Sequence, residues 1–193
     1  AVEAAARAVA AGDLQHVVQV RSRDEIGRLA QAMQAVQSTL RGVLDAQATM
    51  AQAHDAGTIS HRMDASAFPG AFGTMVADCN TLVDAHIQVK MRAISIMGRY
   101  AVGDLSQDME RLPGEKAVIT NALDTAKANL GMINGEIRRL AEAAAAGDFS
   151  QRGDSARFEH DFRAMVDGLN RLMQTTELNL GEVSSMLRAI ADG

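Results

Sequence analysis

The sequence predicts an all-α protein in which long helices alternate with extended connectors and pair with a second copy of the chain. Three observations predict this fold. The composition is poor in aromatic residues and proline, a glycine-centred repeat recurs about every 45 residues, and an apolar stripe with coiled-coil spacing fills the sequence between the glycines. Each observation limits the structure in a different way.

The composition favours thin helical packing. Of the 193 residues, 47% are hydrophobic but only 3% are aromatic, and there are two prolines and no tryptophan. Such a core is richer in alanine, leucine and methionine than a sandwich or barrel requires. The net charge of -5 gives no basic surface for nucleic acid or anionic lipid. We therefore expect neither partner.

Cysteine content and hydropathy indicate a cytoplasmic segment. The single Cys79 cannot form an intramolecular disulfide, and no apolar run approaches the ~18 residues of a membrane helix. The sequence begins without a methionine or signal peptide and stops abruptly, so we expect a fragment of a longer chain. Cys79 and the five histidines are not spaced as metal ligands, and Cys79 is interpreted as a small core residue.

A repeat is centred on glycines that lie 44 to 46 residues apart. Glycine ends a helix readily because it adopts the left-handed backbone conformation without strain. Each glycine is followed by alternating apolar and polar residues, which predicts a short extended connector that turns two side chains inward. The glycines are Gly12, Gly57, Gly103 and Gly147, with Gly193 closing a truncated copy. The apolar residues two positions later are Leu14, Ile59, Leu105 and Phe149, and those six positions later are Val18, Met63 and Met109, replaced by Gly153 in the fourth copy.

Between the connectors, apolar residues recur in alternating steps of three and four. One such stripe runs unbroken from Phe72 to Gly103 through His86. A 3.5-residue period is the seam of a left-handed coiled coil, which needs a partner helix, so the pattern predicts a homodimer. Because the stripe stays in phase with the next glycine, one helix of roughly 30 residues, near 45 Å, serves two successive copies.

The connectors predict that successive helices are parallel. At about 11 to 15 residues they exceed the two to five residues that join antiparallel helices. Fully extended, such a segment reaches roughly 40 Å, enough to return along a half-helix of about 24 Å.

The first copy contains the segments "GDLQHVV" and "DEIGRL". They resemble the connector and the acidic start of the second helix of the HAMP domain, which occurs in bacterial sensor kinases and chemoreceptors. The resemblance places Gly12, Leu14 and Val18 in the connector and Asp24, Glu25 and Gly27 in the acidic motif. Later copies replace this motif with "FPGAF", "LPGEK" and "RFEHDF", which contain Pro69, Gly70, Pro113, Gly114, Glu115 and Glu159.

The resemblance implies parallel dimeric four-helix coiled-coil bundles stacked end to end. We divide the chain into copies 1 to 4, at 1–44, 45–90, 91–135 and 136–178, with 179–193 beginning a further copy. The implied function is a signal relay in a methyl-accepting chemotaxis receptor, with a sensor module before the array and a kinase-control module after it. The array would lie in the cytoplasm, whether the parent receptor is anchored in the inner membrane or soluble.

Three alternatives stay open at the level of sequence. The array could belong to a sensor histidine kinase, or the repeat could build an α-solenoid or coiled-coil scaffold. For an enzyme the sequence offers no catalytic constellation, phosphate loop or nucleophile elbow. We therefore expect no catalytic residue, no cofactor, no metal and no small-molecule ligand.

Overall fold

Residues 2–15 and 24–192 are described in a computed structural model, and in these ranges all regular structure is helical. The predicted all-α class is confirmed. Val18 and Gly193 lie outside the described residues. The α-helices of the described ranges are α1 (Val2–Ala10), α2 (Glu25–Asp55), α3 (Ala71–Ala101), α4 (Ala117–Ala145) and α5 (His160–Ala191).

The four long helices contain 29 to 32 residues each, close to the predicted length of 30. Their sequences are rich in alanine, leucine and methionine, which are strong helix formers. Both prolines precede a helix start, where a missing backbone N–H is tolerated. As a result, each helix continues without interruption through the position at which the sequence predicts one copy to end and the next to begin.

Four helices end in the same hydrogen-bonding pattern, in which a left-handed glycine follows the helix. At Gly103, the backbone N–H donates to the carbonyl of Tyr100 at 3.0 Å, and the N–H of Asp104 donates to the carbonyl of Arg99 at 3.0 Å. This is the Schellman motif, which satisfies carbonyls that the helix leaves free. The glycines Gly12, Gly57, Gly103 and Gly147 have φ angles of 82 to 92°.

The chain divides into two compact parts, Ala1–Met91 and Arg92–Gly193. In the first part the main core contains Val43, Met50, Met63 and Val76, all at most 7% exposed. Met63 comes from a connector and the other three from helices. The connector therefore supplies a core side chain between α2 and α3.

The second part has a core of the same kind. Ile133, Phe158 and Val166 form its buried centre, and Ile137 and Phe162 pack against them. Phe158 lies two residues before the first residue of α5, so the end of a connector again fills space between two long helices.

Much of the predicted seam is left uncovered within the single chain. Leu29, Val36, Met75, Leu82, Met165 and Leu172 are 41 to 62% exposed, although all lie at seam positions. At the start of α2 the buried residues are instead Gly27, Ala30 and Gln37, one position later in the sequence. The small side chain of Ala30 allows Ala5 of α1 to pack closely. Within the described ranges, no helix is long and apolar enough to span a membrane.

Candidate functional site

The candidate site is the set of connectors and the helix residues that hold them. The apolar residues two positions after the glycine are only partly covered: Leu14, Leu105 and Phe149 are half-buried, and Ile59 is 41% exposed. The residues six positions after the glycine are more deeply buried, with Met63 at 6% and Met109 at 4% exposure. The second of the two apolar positions therefore anchors the connector in the chain.

Gly153 occupies the anchor position of copy 4 because no side chain fits there. A Cβ atom at Gly153 would lie 2.6 Å from Cγ1 of Val166 and 3.0 Å from Oε1 of Glu136. Real Cβ atoms do not approach so closely. At this position the backbone of the fourth connector packs directly against the helices, whereas the connectors of copies 2 and 3 insert a methionine side chain.

In copies 2 and 4, an asparagine of the following helix binds both backbone groups of the anchor residue. The Met63 N–H donates to Oδ1 of Asn80 at 3.1 Å, and Nδ2 of Asn80 donates to the Met63 carbonyl at 2.8 Å. Asn170 makes the same pair with Gly153, at 2.6 and 2.8 Å. Each asparagine lies 17 residues after the residue that it holds. We call this arrangement the asparagine clamp.

Other side chains hold the connectors of copies 1 and 3. In copy 1 the Arg41 guanidinium donates to the carbonyl of Leu14. In copy 3 the buried hydroxyl of Thr120 donates to the Glu110 carbonyl at 3.0 Å and accepts from the Leu112 N–H at 3.3 Å. Every copy therefore ties its connector to the helix that follows it.

Arginines add a second link in copies 2 and 4. Arg62 donates to the carbonyls of Ile59 and His61 and forms an ion pair with Asp84. Arg152, ninety residues later, donates to the corresponding carbonyls of its own connector and pairs with Glu177 of α5 at 2.7 Å. These partly exposed ion pairs contribute modestly to stability, so their main effect is to orient the connector.

The acidic motif of copy 1 begins α2. The Asp24 carboxylate accepts from the backbone N–H groups of Ile26 at 3.0 Å and Gly27 at 3.1 Å, which is N-terminal capping. Glu25 pairs with Arg28 at 2.8 Å but is largely exposed, whereas Gly27 is buried. Of the three, Asp24 and Gly27 therefore have a direct structural role in the chain.

Helices α4 and α5 begin without a hydrogen bond from a side-chain cap. Gly70, Gly114 and His160 instead adopt left-handed backbone conformations, with φ of 53, 56 and 48°. They follow Pro69, Pro113 and Glu159 respectively, and Glu115 comes next after Gly114. The side chains at these four positions are exposed: Pro69, Pro113, Glu115 and Glu159. Within the single chain they therefore affect only the direction of the local backbone.

Short side-chain turns favour the ionised form of the connector carboxylates. Asp64, Asp104 and Asp148 each accept hydrogen bonds from the residue two positions later, and the side chain of Ser66, Ser106 or Ser150 is the leading cause of a lowered pKa. The pKa of Glu136 is also lowered, first by the hydrogen bond from Arg139 and further by the Asp154 N–H, against the effect of burial.

Sequence reasoning missed the side chains that hold the connectors, namely Arg41, Asn80, Thr120 and Asn170. A usable signal was present for two of them. Asparagine is a weak helix former, yet Asn80 and Asn170 occur inside long helices and at the same distance from the anchor position. The signal for Arg41 and Thr120 was weaker, because each appears in only one copy.

The arrangement offers packing and hydrogen bonding but few reactive groups. In the described part of the chain, no cluster of three or more His, Cys, Asp or Glu residues could hold a metal ion. Cys79 borders a cavity of about 60 Å³ together with Met63, Met75 and Val76. These residues are components of a helix interface.

Comparison with known families agrees with this geometry. Residues 1–42 match the HAMP domain family, and residues 89–131 match the family described as HAMP N-terminal domain 3. The chain is therefore a tandem array that contains HAMP domains, as the resemblance of the first copy predicted.

A curated relative is similar over a longer stretch. It is the methyl-accepting chemotaxis protein McpB of Pseudomonas aeruginosa, which is 36% identical over 113 residues. The matched stretch covers 58% of this chain but only 16% of the relative. The similarity thus concerns the array and a small share of the longer protein.

Proposed function

We propose that this chain is a signal relay of a bacterial chemoreceptor, in which copies 1 to 4 are successive HAMP units. The observation that carries the proposal is that α2, α3 and α4 each extend from one connector to the next without a break. A helix that is the second helix of one unit and the first helix of the next must transmit any rotation or shift between them.

The connectors make that coupling specific. Each is held by a side chain of the following helix, so a displaced helix must carry its connector along or break the hydrogen bonds between them. Packed interfaces of this kind change between discrete arrangements because interiors do not deform continuously. We infer that each unit has two packings of similar free energy and that the input selects between them.

The relay acts as a parallel homodimer. The exposed apolar stripe, which includes Leu82 and Leu172 at 59 and 62% exposure, has the spacing of a coiled-coil seam. A second copy in parallel register would cover equivalent residues of both chains and complete a four-helix bundle in each unit. Residues 179–193 would then begin a further unit, since α5 extends beyond the fourth one to Ala191.

Chemoreceptor membership is favoured over the alternatives by the named relative, a methyl-accepting chemotaxis protein. The parent chain would place a sensor module before the array and a kinase-control module after it, in the cytoplasm. A HAMP array of a histidine kinase would use the same mechanics with a different output. We propose that the array itself has no catalytic activity, because its described polar residues hold backbone segments in place.

The experiment changes the phase of α3 in a full-length receptor that carries this array. Either two or seven residues are inserted between Gln88 and Met91, and kinase activity is measured with and without stimulus. Seven residues add one heptad and preserve the seam, so the response should survive. Two residues turn the downstream seam by roughly 200°, so the response should be lost or locked. Equal responses from both variants and the unmodified receptor would contradict the proposal.

A further inference from the structure

We propose that Asn80 and Asn170 are positioning residues that lock the connectors of copies 2 and 4 in one register and so select one packing of those units. The inference rests on the proposed function and adds the residues that would control the packing of these two units. It starts from the asparagine clamp, which occurs twice in the chain with the same partners and the same separation of 17 residues.

The clamp requires the primary amide of asparagine. One side chain must accept from a backbone N–H and donate to the carbonyl of the same residue, and the amide offers both groups side by side. A carboxylate can only accept, and a hydroxyl presents one oxygen to both positions. Asn80 and Asn170 are both partly buried, where hydrogen bonds compete less with water.

The anchor residues make the clamp sensitive to helix rotation. Met63 is buried with Val76, and Gly153 has no space for a side chain beside Val166. The connector can therefore move little toward the helix. A rotation of about 25° moves a side-chain atom about 5 Å from the helix axis by about 2 Å, which exceeds the range of a hydrogen bond. Both hydrogen bonds of the clamp can therefore form at only one rotational position of the helix.

Copies 1 and 3 cannot form the clamp. The residues at the equivalent separation are Ala35 and Ala126, whose side chains have no polar atom. Their connectors are held by Arg41 and Thr120 instead. Long flexible arginine tolerates movement that a short amide does not, so the clamped copies should be more restricted than copy 1.

A native reporter lies next to the clamp of copy 2. Cys79, the only cysteine of the chain, is partly buried and precedes Asn80 directly. It borders the 60 Å³ cavity that Met63 also borders. This cavity is already partly open, and release of Met63 would widen it, so the rate at which a thiol reagent modifies Cys79 would increase.

The experiment compares three alanine variants of this chain, and then an aspartate variant, with the wild type. Asn80→Ala removes the clamp of copy 2, Asn170→Ala removes that of copy 4, and Asn134→Ala is a control at an exposed position in α4. All three gain the same helix propensity. The measurements are amide hydrogen exchange at Met63 and Gly153, and the rate of Cys79 modification by a maleimide.

The Asn80→Ala variant should exchange the Met63 amide on the order of tenfold faster and modify Cys79 faster, with Gly153 unchanged. Asn170→Ala should accelerate exchange at Gly153 alone. The Asn80→Asp carboxylate can still accept from the Met63 N–H but repels the Met63 carbonyl at neutral pH, so exchange in this variant should lie between the wild type and Asn80→Ala. It should regain protection in acid, where a protonated carboxyl can donate to the Met63 carbonyl. If Asn80→Ala changes neither exchange at Met63 nor modification of Cys79, the proposal that Asn80 locks the connector is wrong, whatever the result of the insertion experiment.

In the full-length receptor, Asn80→Ala should shift kinase activity without stimulus at least several-fold relative to Asn134→Ala. If exchange and Cys79 modification change but activity does not, the clamp holds the connector without selecting a packing, and the proposal is wrong. If the seven-residue insertion also abolishes the response, the proposed relay fails independently of the clamp.

Discussion

His160 adopts, at the start of α5, the left-handed backbone conformation that Gly70 adopts at the start of α3, with φ of 48 and 53°. The two residues lie ninety positions apart, at equivalent points of copies 4 and 2. Glycine accepts this conformation without strain, but a side chain does not. The fourth copy therefore stores backbone strain where the second does not.

Replacement of His160 by glycine should stabilise the chain by up to about 1.5 kcal/mol. Relief of a left-handed residue contributes about 1–2 kcal/mol, partly offset by about 0.5–1 kcal/mol for the greater freedom of glycine in the unfolded chain. His160→Ala keeps the strain and serves as the control, with no gain expected. Urea unfolding measures both. A loss of stability in the glycine variant would contradict this explanation of φ at His160.

Gly73 and Gly98 lie in the same helix but should respond oppositely to alanine. A Cβ atom at Gly73 would lie 2.6 Å from the backbone oxygen of Phe68 and 3.0 Å from that of Ala65, whereas at Gly98 nothing lies within 4 Å. We expect Gly73→Ala to destabilise by about 1–3 kcal/mol through overpacking. Gly98→Ala should stabilise by about 0.5–1 kcal/mol through helix propensity. Thermal unfolding of the two variants tests the pair, and a neutral Gly73→Ala would show that the connector can retreat.

The two apolar positions of the connectors should differ in their energetic weight. Met63 and Met109 are nearly fully buried, so replacing either with alanine should cost about 2–5 kcal/mol. Ile59 is 41% exposed in the chain, and Ile59→Ala should cost less than about 1.5 kcal/mol. Urea midpoints of the three variants provide the measurement. A larger loss at Ile59 than at Met63 would mean that a partner chain covers Ile59.

Glu136 should contribute to the decline of stability in acid. Its pKa is lowered from 4.5, so folding favours the ionised form. The contribution is present above pH 4.5 and is lost as the pH falls through the folded pKa. Glu136→Gln should be less stable than the wild type at pH 7 and approach it as the pH falls below the folded pKa, with Glu142→Gln as an exposed control on the same helix. A constant difference from pH 7 to pH 3 would exclude this linkage.

The sequence predicted the periodic features well because each depends on the identity and spacing of residues that are close together in the sequence. The glycines at 44 to 46 residue intervals mark helix ends through a conformation that few other residues tolerate, and heptad spacing indicated helices of the observed length. Two features were missed. The burial of Gly27 and Ala30 in place of Ile26 and Leu29 depends on how closely α1 packs, which the apolar pattern does not record.

The clamp was missed for a similar reason. Asn80 is polar and adjacent to the seam, so its side chain could equally have faced solvent. Only the three-dimensional path of the connector brings Met63 within 3.1 Å of it. Likewise, Gly153 breaks the apolar pattern in the sequence, and its cause is visible only in the contact that a Cβ would make with Val166.

The mass of this chain in solution tests the central claim most directly, because the relay depends on a second copy to cover the exposed seam. Light scattering at micromolar concentration should give twice the 20.5 kDa of one chain. Replacing Leu82 and Leu172, which are 59 and 62% exposed in the single chain, with glutamate should shift the mass toward one chain. A wild-type mass of 20.5 kDa, independent of concentration, would contradict the account.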